Sequence, residues 1–341
     1  MDISIFLGSN SYSGFYSLYE DYLAATKPEK VWILKGGAGC GKSGFLRRVA
    51  QKMEDAGFSV HRILCSGDPE SLDGIRIPEL NAALFDGTSP HVLEPPLVGQ
   101  KGFYVDLSQF YGAEVPDLSL YDAAYKEHYR RAYLWLGAAG QAEETVSLPP
   151  EAAESIRKRA LSFAGREVKK SGRSEGQAIT VFTDAFTWKG QLSLSSTRSA
   201  LCPRLVSLLS AAGAADCFLR PLAESALRRG WDVILCPDPL QPQRLSHVLI
   251  PGLGLGVVSG PGGRKLHLDK TVYAAMDSQS RESCRESAAL QRSLLASARK
   301  ELLLAKHYHD RLEAQVNSQV NFAGVGALAD RLAERLLAGR V

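Results

Sequence analysis

Gly36-Gly37-Ala38-Gly39-Cys40-Gly41-Lys42-Ser43 matches the phosphate-binding pattern G-x-x-x-x-G-K-[ST] at every position. The chemistry depends on those residue types. Glycines let successive backbone N–H groups turn inward around phosphate oxygens. The Lys42 ammonium would reach the β- and γ-phosphates, and the Ser43 hydroxyl would ligate Mg²⁺. A helix starting there adds the positive end of its dipole. Residues 36–44, through Gly44, are therefore the expected cradle for ATP. Cys40 reads as a small loop residue, not a redox centre.

Ala82-Ala83-Leu84-Phe85-Asp86 reads as a buried strand ending in an acid, the Walker B form, in which Asp86 shares the metal with Ser43. Parallel α/β sheets place ligands at the carboxyl ends of their strands. The following loop therefore supplies catalytic candidates in Thr88 and His91, beside Lys42 and Asp86. Asp68, Asp73, Arg76 and Glu79 could frame an acceptor pocket. Arg130 or Arg131, near Lys126 and His128, reads either as an internal arginine finger or as a solvated helix face.

The flanks fit this chemistry. Val31-Trp32-Ile33-Leu34 is a continuous apolar run, as a buried parallel strand would be. After Ser43, Phe45, Leu46, Val49 and Met53 recur at helical spacing, and Gly57 sits at the expected helix end. Ile5 to Asn10 reads as a strand followed by small polar residues that could approach base or ribose. Helices are expected over roughly 121–142 and 152–164, broken near Pro149-Pro150, and over 280–315.

The chain also repeats itself. Phe45-Leu46-Arg47 returns as Phe218-Leu219-Arg220, an offset of 173 (218 − 45). The offset also pairs Gly57 with Gly230, Val60 with Val233, Leu72 with Leu245, Ile77-Pro78 with Ile250-Pro251 and Leu80 with Leu253. With shifted register, Phe6 and Gly14 echo Phe182 and Gly190, and Phe163-Ala164-Gly165 echoes Phe322-Ala323-Gly324. Two related tandem units follow: residues 1–168, a polar linker at 169–178, and residues 179–341. Under the 173 offset Gly41, Lys42, Ser43 and Asp86 become Ala214, Ala215, Asp216 and Ser259. The second unit is then a degenerate copy, with Asp216 expected to face and repel phosphate.

The fold class expected is α/β: tandem P-loop NTPase-like three-layer units with mostly parallel sheets and appended helical hairpins. The net charge of +3 over 341 residues implies neither a nucleic-acid nor a membrane partner. Six scattered cysteines form no C-x-x-C pair, which argues against zinc and disulfide frameworks. Without a basic start and long apolar run, a cytoplasmic protein is expected.

Ile33-Leu34-Lys35-Gly36-Gly37, Gly39, Gly41-Lys42-Ser43, Cys65, Asp68-Pro69, Ser71-Leu72-Asp73, Ile77-Pro78-Glu79-Leu80 and Asp86-Gly87-Thr88 with Pro90-His91 carry a resemblance. The pattern resembles an uncharacterised two-repeat P-loop ATP-binding protein family, regarded as ATPases, of Clostridia-like Gram-positive bacteria. The resemblance spans most of the chain and implies ATP binding. The family pattern has a phosphate loop in its second repeat too, and this chain departs from it there. The expected activity is a Mg²⁺-dependent ATPase with one site. The alternatives are a small-molecule or nucleotide kinase, and a non-hydrolysing nucleotide-gated module with an unidentified protein partner. ATP is expected over GTP because no N-K-x-D segment is present.

Overall fold

The computed structural model describes residues 3–90, 92–112, 117–144, 148–210 and 213–339. The first half runs β1 (Ile3–Phe6), β2 (Gly8–Ser11), β3 (Gly14–Ser17), α1 (Tyr19–Thr26), β4 (Lys30–Lys35), α2 (Lys42–Asp55), β5 (His61–Leu64), β6 (Leu72–Ile77), β7 (Ala82–Asp86), β8 (Gly102–Asp106), α3 (Ser119–Glu144) and α4 (Pro150–Glu167). The second runs β9 (Ala178–Thr180), β10 (Asp184–Thr187), β11 (Gly190–Ser193), α5 (Ser195–Leu201), β12 (Arg204–Leu209), α6 (Ala214–Arg228), β13 (Val233–Pro237), β14 (Leu245–Ile250), β15 (Leu255–Ser259), β16 (Arg264–His267), α7 (Asp269–Ala274), α8 (Ser278–Asn317) and α9 (Phe322–Leu337).

Each half builds a six-stranded sheet, ordered β1-β5-β6-β7-β4-β8 and β9-β13-β14-β15-β12-β16. In each, one strand (β6 or β14) runs against both neighbours while the other pairings are parallel. The sequence repeat is thus a repeat of topology, giving two similar α/β units. Strand β4 shows why its run is apolar throughout. Val31 and Ile33 enter one core while Trp32 and Leu34 enter another, so both faces are buried.

The inner faces of the two sheets share one core. Ile33, Ile63 and Phe85 of the first pack with Cys236 and Val258 of the second and with Val181 and Phe182, just after β9. At the junction Phe6 and Phe182 exchange two backbone hydrogen bonds of 2.9 Å each, the pairing expected across an approximate two-fold. The units are therefore not free-standing three-layer sandwiches, because their inner layer is common.

The outer faces are covered reciprocally. Helix α2 lies on the first sheet through Phe45, Leu46, Val49 and Met53, and is joined there by α9 from the other half through Val325, Ala329, Leu332, Ala333 and Leu336. Helix α4, from the first half, packs on α6 of the second through Ile156, Ala160, Phe163 and Ala164. Each fully buried large apolar side chain contributes about 1.5–3 kcal/mol over exposure. The break at 168 divides the chain but not the two cores. Segment 169–178 is also not a free tether. Ser171 N–H donates to Arg229 O and Gly176 N–H to Leu227 O, each at 2.9 Å.

The echo of Phe163-Ala164-Gly165 in Phe322-Ala323-Gly324 does not survive. Buried positions Ala152, Ile156, Ala160 and Phe163 match Val325, Ala329, Ala333 and Leu336, which keeps the offset at 173 (325 − 152). Helices α3 and α8 run antiparallel: Tyr125 meets His309, His128 Nδ1 lies 2.7 Å from Glu301, and Gln291 reaches Glu143 at 2.8 Å.

Phe163 is buried, with its ring 5.6 Å from that of Phe218. Phe163→Ala should lower stability to urea by about 3–5 kcal/mol. Hydrogen exchange should show protection lost first in β12–β15, although Phe163 is in the first half. Loss confined to β4–β7 would contradict the reciprocal packing.

Candidate functional site

The six residues 36–41 carry the chain from β4 into α2. Gly41 caps α2 in the left-handed region (φ 91°), and Gly39 is also left-handed (φ 76°). Side chains there would be strained. They would also press on the other half: a Cβ on Gly41 would lie 3.1 Å from the Phe322 ring, and one on Gly39 would lie 3.1 Å from Glu313 O.

Lys42 Nζ donates to Gly36 O and Gly37 O, each at 2.9 Å, and lies 3.7 Å from Asp86 Oδ2. Strands β4 and β7 are adjacent and parallel, which brings their carboxyl ends together. Asp86 Oδ1 accepts from Thr88 N–H at 2.9 Å and from the Thr88 hydroxyl at 2.7 Å. Thr88 thus fixes Asp86 instead of standing free for a phosphate. Asp86 Oδ2 takes no hydrogen bond among the described residues, and Lys42 is its cation. Ser43 Oγ accepts from Leu72 N–H at 2.9 Å and keeps a second lone pair. Ser43 Oγ and Asp86 Oδ2 are hard oxygen donors of the kind Mg²⁺ takes. Burial raises the Cys40 thiol, with Lys42 opposing, which is not the environment of a nucleophilic thiolate.

The loop forms one wall of a cleft of about 820 Å³. The opposite wall includes His309, Leu312, Glu313, Asn317 and Phe322 of the second half. Asp68 and Asp73 line the cleft, as expected. Asp73 is buried and accepts from Tyr19 O–H at 3.0 Å; burial, then Asp73, pushes that phenol well above its usual range. Arg76 and Glu79 are elsewhere, toward the far end of β6. Arg76 donates to Ala82 O (2.9 Å), and Glu79 accepts from Ser59 N–H (3.1 Å). Arg130 and Arg131 both pair with Glu127 at 2.8 Å on an exposed helix face, which leaves neither as a finger. His91 lies outside the described residues. Residues 5–10 miss the cleft: Asn10 donates to Phe186 O (2.9 Å) and Ser9 to Pro239 O (2.8 Å), joining the units.

Arg47 and Arg48 also line the cleft. Arg47 donates to Glu70 O, and its echo Arg220 donates to Gln243 O. That shared backbone contact explains why arginine stands in both units. Arg48 pairs with Asp330 of α9 at 2.7 Å. Ligand atoms of His309, Asp310 and Glu313 lie within 4.8 Å of one another, but Asp310 is paired with Lys306.

The second unit corrects two expectations. Four residues, 210–213, separate β12 from α6, where six separate β4 from α2. Gly213 caps α6 in the left-handed region (φ 71°), so it, not Ala214, is the counterpart of Gly41. Helix α6 has 15 residues against 14 in α2, which restores the 173 register by Phe218. Asp216 does not face a phosphate site. Its Oδ1 accepts from Leu245 N–H at 2.8 Å, the bond Ser43 takes from Leu72, and from Arg220 at 2.9 Å.

Compared with known proteins, the chain matches no family model, no curated protein and no solved structure. Among the described residues, no helix is long and apolar enough to cross a membrane.

Ser43→Ala strips the acceptor from the Leu72 N–H at the start of β6. Ligand-free stability should fall by about 1–3 kcal/mol in urea titration. Unchanged stability would mean that the amide finds another partner and that the bond is incidental.

Proposed function

We propose that the first unit binds ATP with Mg²⁺ as a P-loop NTPase and hydrolyses it, and that the second unit is a degenerate copy without a nucleotide site. One observation carries the reading. Lys42 and Asp86 meet at 3.7 Å at the carboxyl ends of adjacent parallel strands, above a left-handed glycine loop that opens a helix. That arrangement brings a cation and a carboxylate together beside a glycine loop at a helix N-terminus, which supports a triphosphate site. Ser43 completes the metal set. The second unit keeps the left-handed glycine at the helix start but lacks the rest: its loop is two residues shorter (6 − 4), alanine stands at the lysine position, and Ser259 stands opposite Asp86.

A kinase reading has its own support. The cleft continues past the loop to Asp68, Asp73, Asp122 and Tyr125, which leaves room for an acceptor. ADP formation by purified protein, with and without an acceptor panel, separates the two. Phosphate release without acceptor supports the ATPase; ADP only with acceptor supports the kinase.

Lys42→Ala removes the charge-assisted contact to the β- and γ-phosphates. Affinity for a fluorescent ATP analogue should fall about ten- to a hundredfold. Calorimetry should give one ATP per wild-type chain and none for this variant at equal concentrations. A site surviving in the variant would move the nucleotide elsewhere.

Asp86→Asn should weaken Mg²⁺-dependent binding far more than metal-free binding. An unchanged Mg²⁺ dependence would reduce Asp86 to the cap of its own turn with Thr88.

A further inference from the structure

The cradle of the first unit already holds a carboxylate. Glu313, in the last turn of α8, accepts a hydrogen bond from Gly39 N–H through Oε1 at 3.2 Å. Gly39 is in the middle of the loop, and its N–H is one of those that a phosphate would need. Four residues further along α8, the Asn317 amide, oriented to satisfy its neighbours, donates to Gly39 O at 2.9 Å. One residue of the loop is thus held through both its N–H and its C=O by one helix of the other half.

The repeat supplies an internal comparison. The 173 offset runs through the long helices, pairing Ala132 with Ala305 and Ala139 with Leu312, all buried. It places Gly140 opposite Glu313. The copy with the short loop therefore has no side chain at that position. Its neighbouring carboxylate, Glu143, is taken by Arg244 (2.8 Å), Tyr12 and Gln291. The carboxylate on the loop accompanies the cradle.

We infer that Glu313 is a built-in stand-in for a nucleotide phosphate oxygen, so that nucleotide enters only by displacing the last turn of α8. The inference rests on the nucleotide reading of this loop. A carboxylate and a phosphate group cannot share one N–H, and their like charges repel at hydrogen-bond range. Binding therefore exchanges the Gly39–Glu313 bond for a Gly39–phosphate bond and releases Glu313 toward solvent. A ligand shifts such an equilibrium only as far as it prefers one state, and here the preference is mutual exclusion. The released element belongs to α8, whose 40 residues continue along α3 to the Glu143–Arg244 pair beside the second unit. Nucleotide occupancy of one unit is thereby tied to the position of a helix from the other.

The test compares wild type with Glu313→Gln in full-length protein. The probes are a fluorescent ATP analogue with Mg²⁺ and, separately, inorganic tripolyphosphate; thermal melts check that both proteins are folded. Glutamine keeps the shape and removes the charge, so both probes should bind about tenfold tighter. In wild type, hydrogen exchange over 310–317 should rise when the probe binds. Equal affinities with unchanged exchange would overturn the inference. So would weaker binding by the variant, which would make Glu313 a ligand-supporting group, or unchanged binding with lost turnover, which would make it a general base. Failure of either protein to bind either probe would overturn the nucleotide reading itself. Binding by the variant alone would support both.

Discussion

Neither sheet is covered by its own half of the chain alone: α2 and α6 each cover only part of an outer face. A sheet buried on one face only would leave Trp32, Leu34, Ile75 and Leu84, or Val206, Val248 and Val257, against water. The first half sends α4 to the second sheet and the second half sends α9 to the first, while the inner faces seal against each other. This reciprocal covering is the constraint on which the rest depends. It keeps the long helices α3 and α8 antiparallel, because each must cross from one unit to the other before its hairpin partner can dock. The two units are then halves of one folded body, each completing the other's core.

The same covering brings a foreign wall to the glycine loop. The proposed phosphate cradle needs left-handed backbone, which glycine supplies at positions 39 and 41. Here those positions carry a second constraint. The end of α8 and the start of α9 pack so closely on the loop that a side chain at either would meet Glu313 or Phe322. Asn321 fixes that approach: its side chain caps α9 by accepting from Gly324 N–H at 2.9 Å, and its own N–H donates to Phe110 O at 2.9 Å. The cleft is therefore built from both halves, although the residues that match a nucleotide pattern all come from one.

What could be read in the sequence follows from the range of each signal. The loop, β4, β7 and α2 were legible because their determinants are local: apolar runs, helical spacing, and glycine where φ must be positive. The repeat was legible because core positions such as Phe45 and Phe218 keep their identity at a fixed offset. The destination of α4 and α9 was not. An apolar stripe says that a helix is covered, not which sheet covers it, and Phe163 reads the same against either. Glu313 was invisible for the same reason. It is 274 residues from Gly39 in sequence, on a helix full of charges, and only the fold brings the two together. Arg47 is the one charged residue in the repeated Phe-Leu-Arg run, and its contact to Glu70 O is matched by that of Arg220 to Gln243 O.

Comparison of the two units shows which features of this loop the fold itself requires. Gly213 persists because the turn into α6 needs a left-handed residue whatever the loop binds. The bond from the first N–H of the neighbouring strand persists too, but its acceptor changed from the Ser43 hydroxyl to the Asp216 carboxylate. A hydroxyl there can serve strand and metal together. A carboxylate paired with Arg220 serves the strand alone. The shorter loop of the second unit (four residues against six) thus goes with a charge-assisted acceptor for the strand, and the longer loop with a neutral one. Seen from the other side, the first unit keeps the weaker serine at its strand junction, which fits a position where a second role for the hydroxyl still constrains the choice.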